Sequence, residues 1–195
     1  MFQKYKYHIL LHFIIFLWGF TGILGKLIHL DFYHIVWNRL LFALIGLAIA
    51  FYFMKISIKI HSFKDLARLF GVGILVALHW ITFYKSIQLS TASLGILCLS
   101  TVTLHVTWLE PLIMKRAFSW LEFTLGLSVI GGIYIVSSDF NSSDYEALAY
   151  GLTSAVFAAL RSLLKPHAHH RDPAARLVET GAVGAVSWAF FGMLG

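Results

Sequence analysis

Residues 91–114 hold the polar side chains best placed to do chemistry inside an otherwise apolar stretch. A bilayer-spanning helix needs about 20 largely apolar residues, and this run of 24 ends at the basic pair Lys115-Arg116. In a helical projection at about 100° per residue, four residues share one line: Ser93, Ser100, Thr107 and Pro111. Thr103 and Glu110 lie near that line, and His105 lies on another face. Because polar groups facing lipid are costly, we expect this stripe to face other helices or a wet cavity.

Two interpretations of the stripe are open. Serine and threonine commonly join transmembrane helices through hydrogen bonds, which would make these hydroxyls structural. Glu110 followed by Pro111 favours a functional surface, because a carboxylate beside a helix breaker indicates a kink with a polar group. His105, and His79 in the preceding run, are more typical of packing residues than of proton carriers. A proton relay would require the two imidazoles to meet.

The composition identifies an integral membrane protein. Of 195 residues, 59 % are hydrophobic and only 12 % are charged, whereas soluble proteins carry about 25 % charged residues. We therefore interpret the net charge of +6 as a sign of membrane topology and not of nucleic-acid binding. Cys98 is the single cysteine, which excludes an intrachain disulfide. The sequence has no enzyme or phosphate-loop motif, and we expect the loop histidines His167, His169 and His170 to be solvated.

Seven apolar runs predict an all-α, polytopic membrane protein of about seven transmembrane helices. They cover residues 7–28, 32–54, 66–87, 91–114, 119–137, 145–164 and 177–195. With the amino terminus in the cytoplasm, 12 of the 15 lysines and arginines lie in inside segments, as the positive-inside rule requires. We therefore expect a protein of the cytoplasmic (inner or plasma) membrane with a cytoplasmic amino terminus.

Three basic residues depart from this rule: Lys26, Arg39 and Lys85 fall at or within the outer ends of the first three runs. Lys26 and Lys85 fit side chains that extend to the outer headgroups. Arg39 lies about two helical turns inside its run, and an ionisable residue at that depth is a candidate functional residue. Its planar guanidinium offers paired donors to a carboxylate. The alternative interpretation is that Arg39 also extends to the headgroups.

Two short segments suggest an internal repeat. Trp18-Gly19-Phe20-Thr21-Gly22 and Tyr150-Gly151-Leu152-Thr153-Ser154 both read aromatic, glycine, apolar, threonine, small. The second copy is five helices further along, so it enters the membrane from the opposite face, as in the inverted repeats of secondary transporters. We predict a first five-helix repeat at 1–140 and the first two helices of a second at 141–195. Because the chain stops inside the seventh run, we expect a fragment or truncated product of a longer protein.

Several segments resemble the EamA-like branch of the drug/metabolite transporter superfamily. They are Trp18-Gly19 with Lys26, then Arg39–Ala43, Phe83–Leu94, Leu125-Gly126 and Gly131-Gly132, in this order. The resemblance implies ten helices in two inverted five-helix repeats, with both termini cytoplasmic. It also implies alternating-access transport of small metabolites, often export of amino acids or related compounds. The cavity would be lined by helices 1, 3 and 4 of each repeat.

The sequence thus predicts a secondary carrier that is neither an enzyme nor driven by ATP. Its expected partners are a small-molecule substrate and the lipid bilayer, without nucleic acid, and a homodimer is left open. The alternative is a truncated, non-transporting membrane subunit that acts through oligomerisation. The candidate substrate-binding residues are Trp18, Lys26, Arg39, His79, Trp80, Ser100, Thr103 and Thr107, and the candidates for coupling or gating are His105 and Glu110. No cofactor or metal is expected.

Overall fold

A computed structural model describes residues 2–56, 63–136, 140–164 and 173–194, and the regular structure in these ranges is α-helical. The helices are α1 Phe2–Leu27, α2 Phe32–Met54, α3 Phe63–Leu89, α4 Ala92–Leu99, α5 Val102–Met114, α6 Trp120–Val136, α7 Ser142–Leu164 and α8 Pro173–Leu194. Each predicted apolar run coincides with one helix, except that run 91–114 forms two. The all-α fold class is therefore confirmed.

Five segments of the described residues are long and apolar enough to cross a membrane. They are Tyr5–Leu27, Phe32–Met54, Leu66–Leu89, Ala92–Met114 and Ser142–Leu164. The apolar part of α6 is shorter, Trp120–Ile135, and α8 is not among the five. A polytopic helical membrane protein is confirmed, with fewer clear spans than the seven predicted runs.

Helix α3 is the centre of the packing, because it contacts α1, α2, α4, α7 and α8. Small residues bring its neighbours close, as is usual between membrane helices. A Cβ added at Gly73 would lie 2.6 Å from the Val186 Cβ of α8. On α7, the residues Ala147, Ala155 and Ala159 are completely buried.

Helices α1 and α7 run in opposite directions along α3. Lys26, near the end of α1, contacts the end of α3, so these two helices are parallel. On α7, Ser154 contacts His79 and Ala147 contacts Ser86, so the chain numbers fall on α7 as they rise on α3. This direction is the one that an inverted repeat requires. The division into repeats at 1–140 and 141–195 stays a prediction.

The fourth apolar run is interrupted at Ser100-Thr101, between α4 and α5. The Ser100 hydroxyl donates to the Leu97 carbonyl at 2.6 Å, and the Thr101 hydroxyl donates to the Cys98 carbonyl at 2.6 Å. Such local bonds offer the backbone an alternative to the regular helix ladder. The helix breaker Pro111 does not end a helix, because it lies within α5.

Candidate functional site

Arg39 is held between α2 and α3 by the phenol of Tyr84 and the ring of Trp80. Its Nη1 donates a hydrogen bond to the Tyr84 hydroxyl at 2.5 Å. The guanidinium carbon lies 4.6 Å from the centre of the Trp80 ring, a distance at which a cation is attracted to the ring face. The Trp80 and Tyr84 rings are themselves 5.8 Å apart, which is expected for residues four apart on one helix face.

The surrounding core fixes this arrangement. Tyr84 is 1 % exposed, and a Cβ added at Gly25 of α1 would lie 2.5 Å from its ring. The glycine therefore leaves the room that the tyrosine ring occupies. On α2, Val36 and Leu40 flank Arg39 in sequence and belong to the same buried cluster as Tyr84. Packing on both sides thus keeps the Tyr84 hydroxyl within reach of the guanidinium.

The partners of Arg39 among the described residues are neutral. Within the part of the chain that the structure describes, an ion pair joins Arg116 to Glu110, and no carboxylate pairs with Arg39. A guanidinium has five N–H donors, and Tyr84 engages one of them. Arg39 is therefore a fixed cation in a membrane helix whose charge is not balanced by a described acidic residue.

Lys26, on α1, contacts a different part of α3 from Arg39. Its ammonium group donates to the carbonyls of Ile87 at 3.3 Å, Gln88 at 3.1 Å and Ser90 at 2.5 Å. The carbonyls at a helix end have no partner within the helix and carry partial negative charge, so a lysine there is stabilising. In this structure Lys26 therefore caps the C-terminal end of α3, and all three of its N–H donors form hydrogen bonds.

His79 is buried between α3 and α7. Its Nδ1 lies 3.0 Å from the Ser154 carbonyl and 2.8 Å from the Ser154 hydroxyl. Because a carbonyl only accepts, Nδ1 carries the hydrogen. The Ser154 hydroxyl donates back to the His79 carbonyl at 3.0 Å, and the His79 ring is 5.0 Å from that of Trp80. His79 thus joins the Arg39 surroundings to α7.

His105 lies apart from His79. The Trp108 indole N–H donates to its Nδ1 at 3.3 Å, and its Nε2 is buried without a partner among the described residues. No hydrogen bond or ring contact in the described ranges joins the two histidines. The condition that a proton relay would require is therefore not met in this structure.

The polar stripe of the fourth run does not form one continuous face. Ser93, Ser100 and Thr103 are exposed, whereas Thr107 is 3 % exposed. The interruption between α4 and α5 changes the rotation of the chain, so a straight helical projection does not hold across it. Thr103 and Thr107 donate to carbonyls of their own segment, at 3.4 and 2.9 Å.

Two other sequence candidates are placed as follows. Glu110 forms an ion pair with Arg116 at 2.7 Å, at the end of α5. Trp18 falls within α1, but its side chain is outside what the structure describes. The loop histidines at 167–170 also lie outside the described residues. No group of three or more His, Cys, Asp or Glu residues that could hold a metal occurs among those described.

The family of the chain follows from a comparison of its sequence with known families. The profile of the EamA-like transporter family matches residues 6–138, more than half of the chain. This chain belongs to the EamA-like transporter family. The EamA-like assignment confirms the resemblance carried by the motifs, and it makes the protein a membrane transporter of small molecules. No curated protein and no solved structure matches the chain.

The matched region of this EamA-like chain includes Tyr84 and Lys85, two residues of the candidate site that sequence reasoning did not select. Lys85 donates to the Tyr150 hydroxyl at 2.7 Å and lies 4.2 Å from the Tyr150 ring centre. The Phe32 ring centre is 5.9 Å from the same ammonium group. A usable signal existed for Lys85, because it is one of the three basic residues that depart from the positive-inside rule. Tyr84 and Tyr150 gave no signal, since tyrosines are common near membrane interfaces.

Proposed function

We propose that this protein is a secondary carrier that exports small metabolites bearing an anionic group, such as amino acids or related carboxylates. Arg39 receives that group. The observation that carries the proposal is the fixed guanidinium of Arg39, whose described partners are the Tyr84 phenol and the Trp80 ring and include no carboxylate. The carrier is not driven by ATP and catalyses no covalent reaction.

The chemistry of the site supports binding of a carboxylate. A guanidinium presents donors in a planar fork that matches two carboxylate oxygens. Tyr84 holds one donor and Trp80 covers one face of the group, so the fork is ordered before a ligand arrives. The apolar surroundings strengthen the attraction relative to water. An anion in this position compensates the charge that the described protein groups leave unbalanced.

The other candidate residues from the sequence are proposed to have different roles. Trp80 acts directly, because it touches the guanidinium, and His79 acts by fixing Trp80 and α7. Lys26 supports the site by closing the end of α3. Trp18, Ser100, Thr103 and Thr107 are proposed to line the substrate path, with His105 and Glu110 in coupling or gating.

The proposed orientation places the amino terminus in the cytoplasm, in an inner or plasma membrane. The distribution of lysine and arginine supports it. In this orientation the C-terminal end of α3 and the Arg39 site face the outer side. The exposed apolar surface of α1 and α6 is proposed to face the lipid bilayer or a second copy of the chain.

The test compares Arg39→Lys with Arg39→Gln in proteoliposomes, using counterflow of a panel of radiolabelled amino acids and carboxylates. Arg39→Lys keeps the charge but loses the planar fork. Hydrogen bonds to charged groups contribute about 1.5–3 kcal/mol, so we expect both variants to lose about 10- to 100-fold in transport. The exposed Arg68→Lys is the matched control and should stay near the wild-type rate. Normal transport by both Arg39 variants, at equal amounts of protein, would show that the proposed role of Arg39 is wrong.

A further inference from the structure

The C-terminal end of α3 carries a group of polar side chains that reach three other parts of the chain. We call Lys85, Ser86, Gln88 and Ser90 the α3 clamp. Gln88 and Ser90 lie in the last residues before α4, and Lys85 and Ser86 lie one turn earlier. Each of the four makes a hydrogen bond to another segment. The clamp therefore decides how this end of the bundle is held together.

One set of contacts ties α3 to α1 and α2. The Gln88 amide donates to the Leu30 carbonyl at 2.7 Å and accepts from the Phe32 backbone N–H at 2.9 Å. Lys26 adds its three bonds to the carbonyls at the end of α3. Gln88 in this way satisfies backbone groups of the connection between α1 and α2. These helices form one connected unit at this end.

A second set crosses from α3 to α7. The Lys85 ammonium donates to the Tyr150 hydroxyl at 2.7 Å, and the Ser86 hydroxyl donates to the Ala147 carbonyl at 2.7 Å. The Ser90 hydroxyl donates to the carboxylate of Asp144, in the first turn of α7. Two of the three bonds join side chain to side chain, so side-chain rotation alone can break them.

The hydrogen bonds from the α3 clamp to α7 lie beside a small apolar cluster. Leu94 and Cys98 of α4 pack there with Ala147 of α7. Deeper in the bundle, His79 of α3 and Ser154 of α7 join these two helices by reciprocal bonds. The part-buried Lys85–Tyr150 and Ser90–Asp144 bonds can exchange for water, whereas the buried Ser86–Ala147 and His79–Ser154 bonds cannot do so without leaving polar groups unpaired. The interface is thus easiest to open at Lys85 and Ser90 and hardest at His79.

From this arrangement we propose that the bonds from the α3 clamp to α7 form a gate at this end of the transporter. The gate opens when Lys85 leaves Tyr150 and Ser90 leaves Asp144, after which the Ser86–Ala147 bond also breaks, while Gln88 and Lys26 keep α3 attached to α1 and α2. Helix α7 then moves away from α3 about the His79–Ser154 contact. The proposal rests on the transport activity of the family and not on the anion site at Arg39.

The gate is tested by distance measurements that need no substrate. Spin labels are placed at Ser93→Cys and Glu146→Cys in the full chain carrying Cys98→Ser, reconstituted in liposomes. Both positions are exposed, and their neighbours Leu94 and Ala147 pack together across α4 and α7. Pulsed dipolar spectroscopy then reports the fraction of molecules in which α7 has moved away from the start of α4, which directly follows the C-terminal end of α3.

The test variant is Ser90→Ala/Tyr150→Phe, which removes two hydroxyl groups of the gate without changing charge. We expect the fraction at long distance to rise about fivefold or more, because a few weak bonds set the balance between two conformations. The matched control is Ser128→Ala, whose hydroxyl bonds within α6 and which should leave the fraction unchanged. A second label pair, Leu30→Cys with Ser93→Cys, reports the unit held by Gln88 and should keep one distance throughout.

Two results would overturn the gate. Identical distance distributions in the wild type and the double variant would mean that these bonds do not control separation of the helices. A long distance that appears equally with the Leu30/Ser93 pair would mean that the end of α3 frays as a whole. Loss of transport in the Arg39 variants affects neither result, so the two proposals fail separately.

Discussion

Helices α1 and α7 carry the same five-residue pattern and use it differently. Both helices pack against α3 and α4, in opposite directions. In α7, the segment Tyr150–Ser154 lies at the centre of the contact, where Gly151 and Ser154 are buried. In α1, of the two glycines in the segment Trp18–Gly22, the last residue Gly22 makes a close contact. Equivalent positions therefore do not make equivalent contacts.

The two glycines at the second position show the difference most clearly. A Cβ added at Gly151 would lie 2.7 Å from both the Cβ and the Sγ of Cys98, and 3.0 Å from the Ser86 hydroxyl. A Cβ added at Gly19 would meet nothing within 4 Å. The shared pattern thus indicates a helix able to pack closely. Which of its small residues does so depends on how each helix is rotated against α3 and α4.

The largest expected effect is that of Gly151→Ala. The new methyl group overlaps the start of the Cys98 side chain, which cannot move without its helix, and overpacking of this kind costs about 1–3 kcal/mol. We expect the free energy of unfolding, measured by denaturant titration in mixed micelles, to fall by that amount. Gly19→Ala is the matched control at the same position of the pattern and should change it by less than about 0.5 kcal/mol.

A double variant separates steric overlap from other causes. Cys98→Ala removes the Sγ atom, so Gly151→Ala/Cys98→Ala should recover part of the lost stability. Equal effects of Gly19→Ala and Gly151→Ala would contradict the comparison, because they would place the two glycines in equivalent surroundings.

A smaller effect is expected at the last position of the pattern, where α7 has Ser154 and α1 has Gly22. Ser154→Ala removes the hydroxyl that bonds to His79. Hydrogen bonds between membrane helices contribute about 0.6 kcal/mol on average and up to about 1.7 kcal/mol, so we expect a loss near 1 kcal/mol in the same titration. Gly22→Ala should cost less, because its nearest contact at 2.9 Å is the Ile96 Cδ1, at the end of a side chain that can rotate.

A mutant cycle with His79 makes this prediction specific. If the bond carries the effect, Ser154→Ala and His79→Ala together should cost less than the sum of the single changes. Additive costs, or a larger cost for Gly22→Ala than for Ser154→Ala, would mean that the two last positions do not differ in the way the contacts indicate.

Most of the helices could be predicted from the sequence, for a physical reason. A chain in lipid must satisfy its backbone within each span, so long apolar runs are helices. The run 145–164 is part of α7, and 66–87 is part of α3. The break at Ser100-Thr101 could not be predicted, because it depends on two hydroxyls that bond carbonyls in the same turn. Serine and threonine also occur in unbroken helices.

The site was predictable only in part. Arg39 was a candidate because a charge deep in a membrane segment is costly, and Trp80, which contacts it in the structure, was also a candidate. Tyr84 was missed because its role depends on how α2 is rotated against α3. Small residues occur on several helices, so their positions in the sequence do not indicate which helix faces meet. The position of Lys26 was predicted near the end of α1, but its three carbonyl partners on α3 depend on contacts some 60 residues away in the chain.

The smallest expected difference is at the fourth position of the pattern, where both helices have threonine. Thr21 donates to the Leu17 carbonyl at 3.1 Å, and Thr153 donates to the Ala149 carbonyl at 2.8 Å. Each hydroxyl is thus satisfied within its own helix, by a carbonyl that the helix ladder already uses. Thr21→Val and Thr153→Val should each change the free energy of unfolding by less than about 0.5 kcal/mol, and by similar amounts. A loss above about 1 kcal/mol for Thr153→Val alone would indicate a polar contact of α7 with another helix, and would extend the difference between α1 and α7 to this position as well.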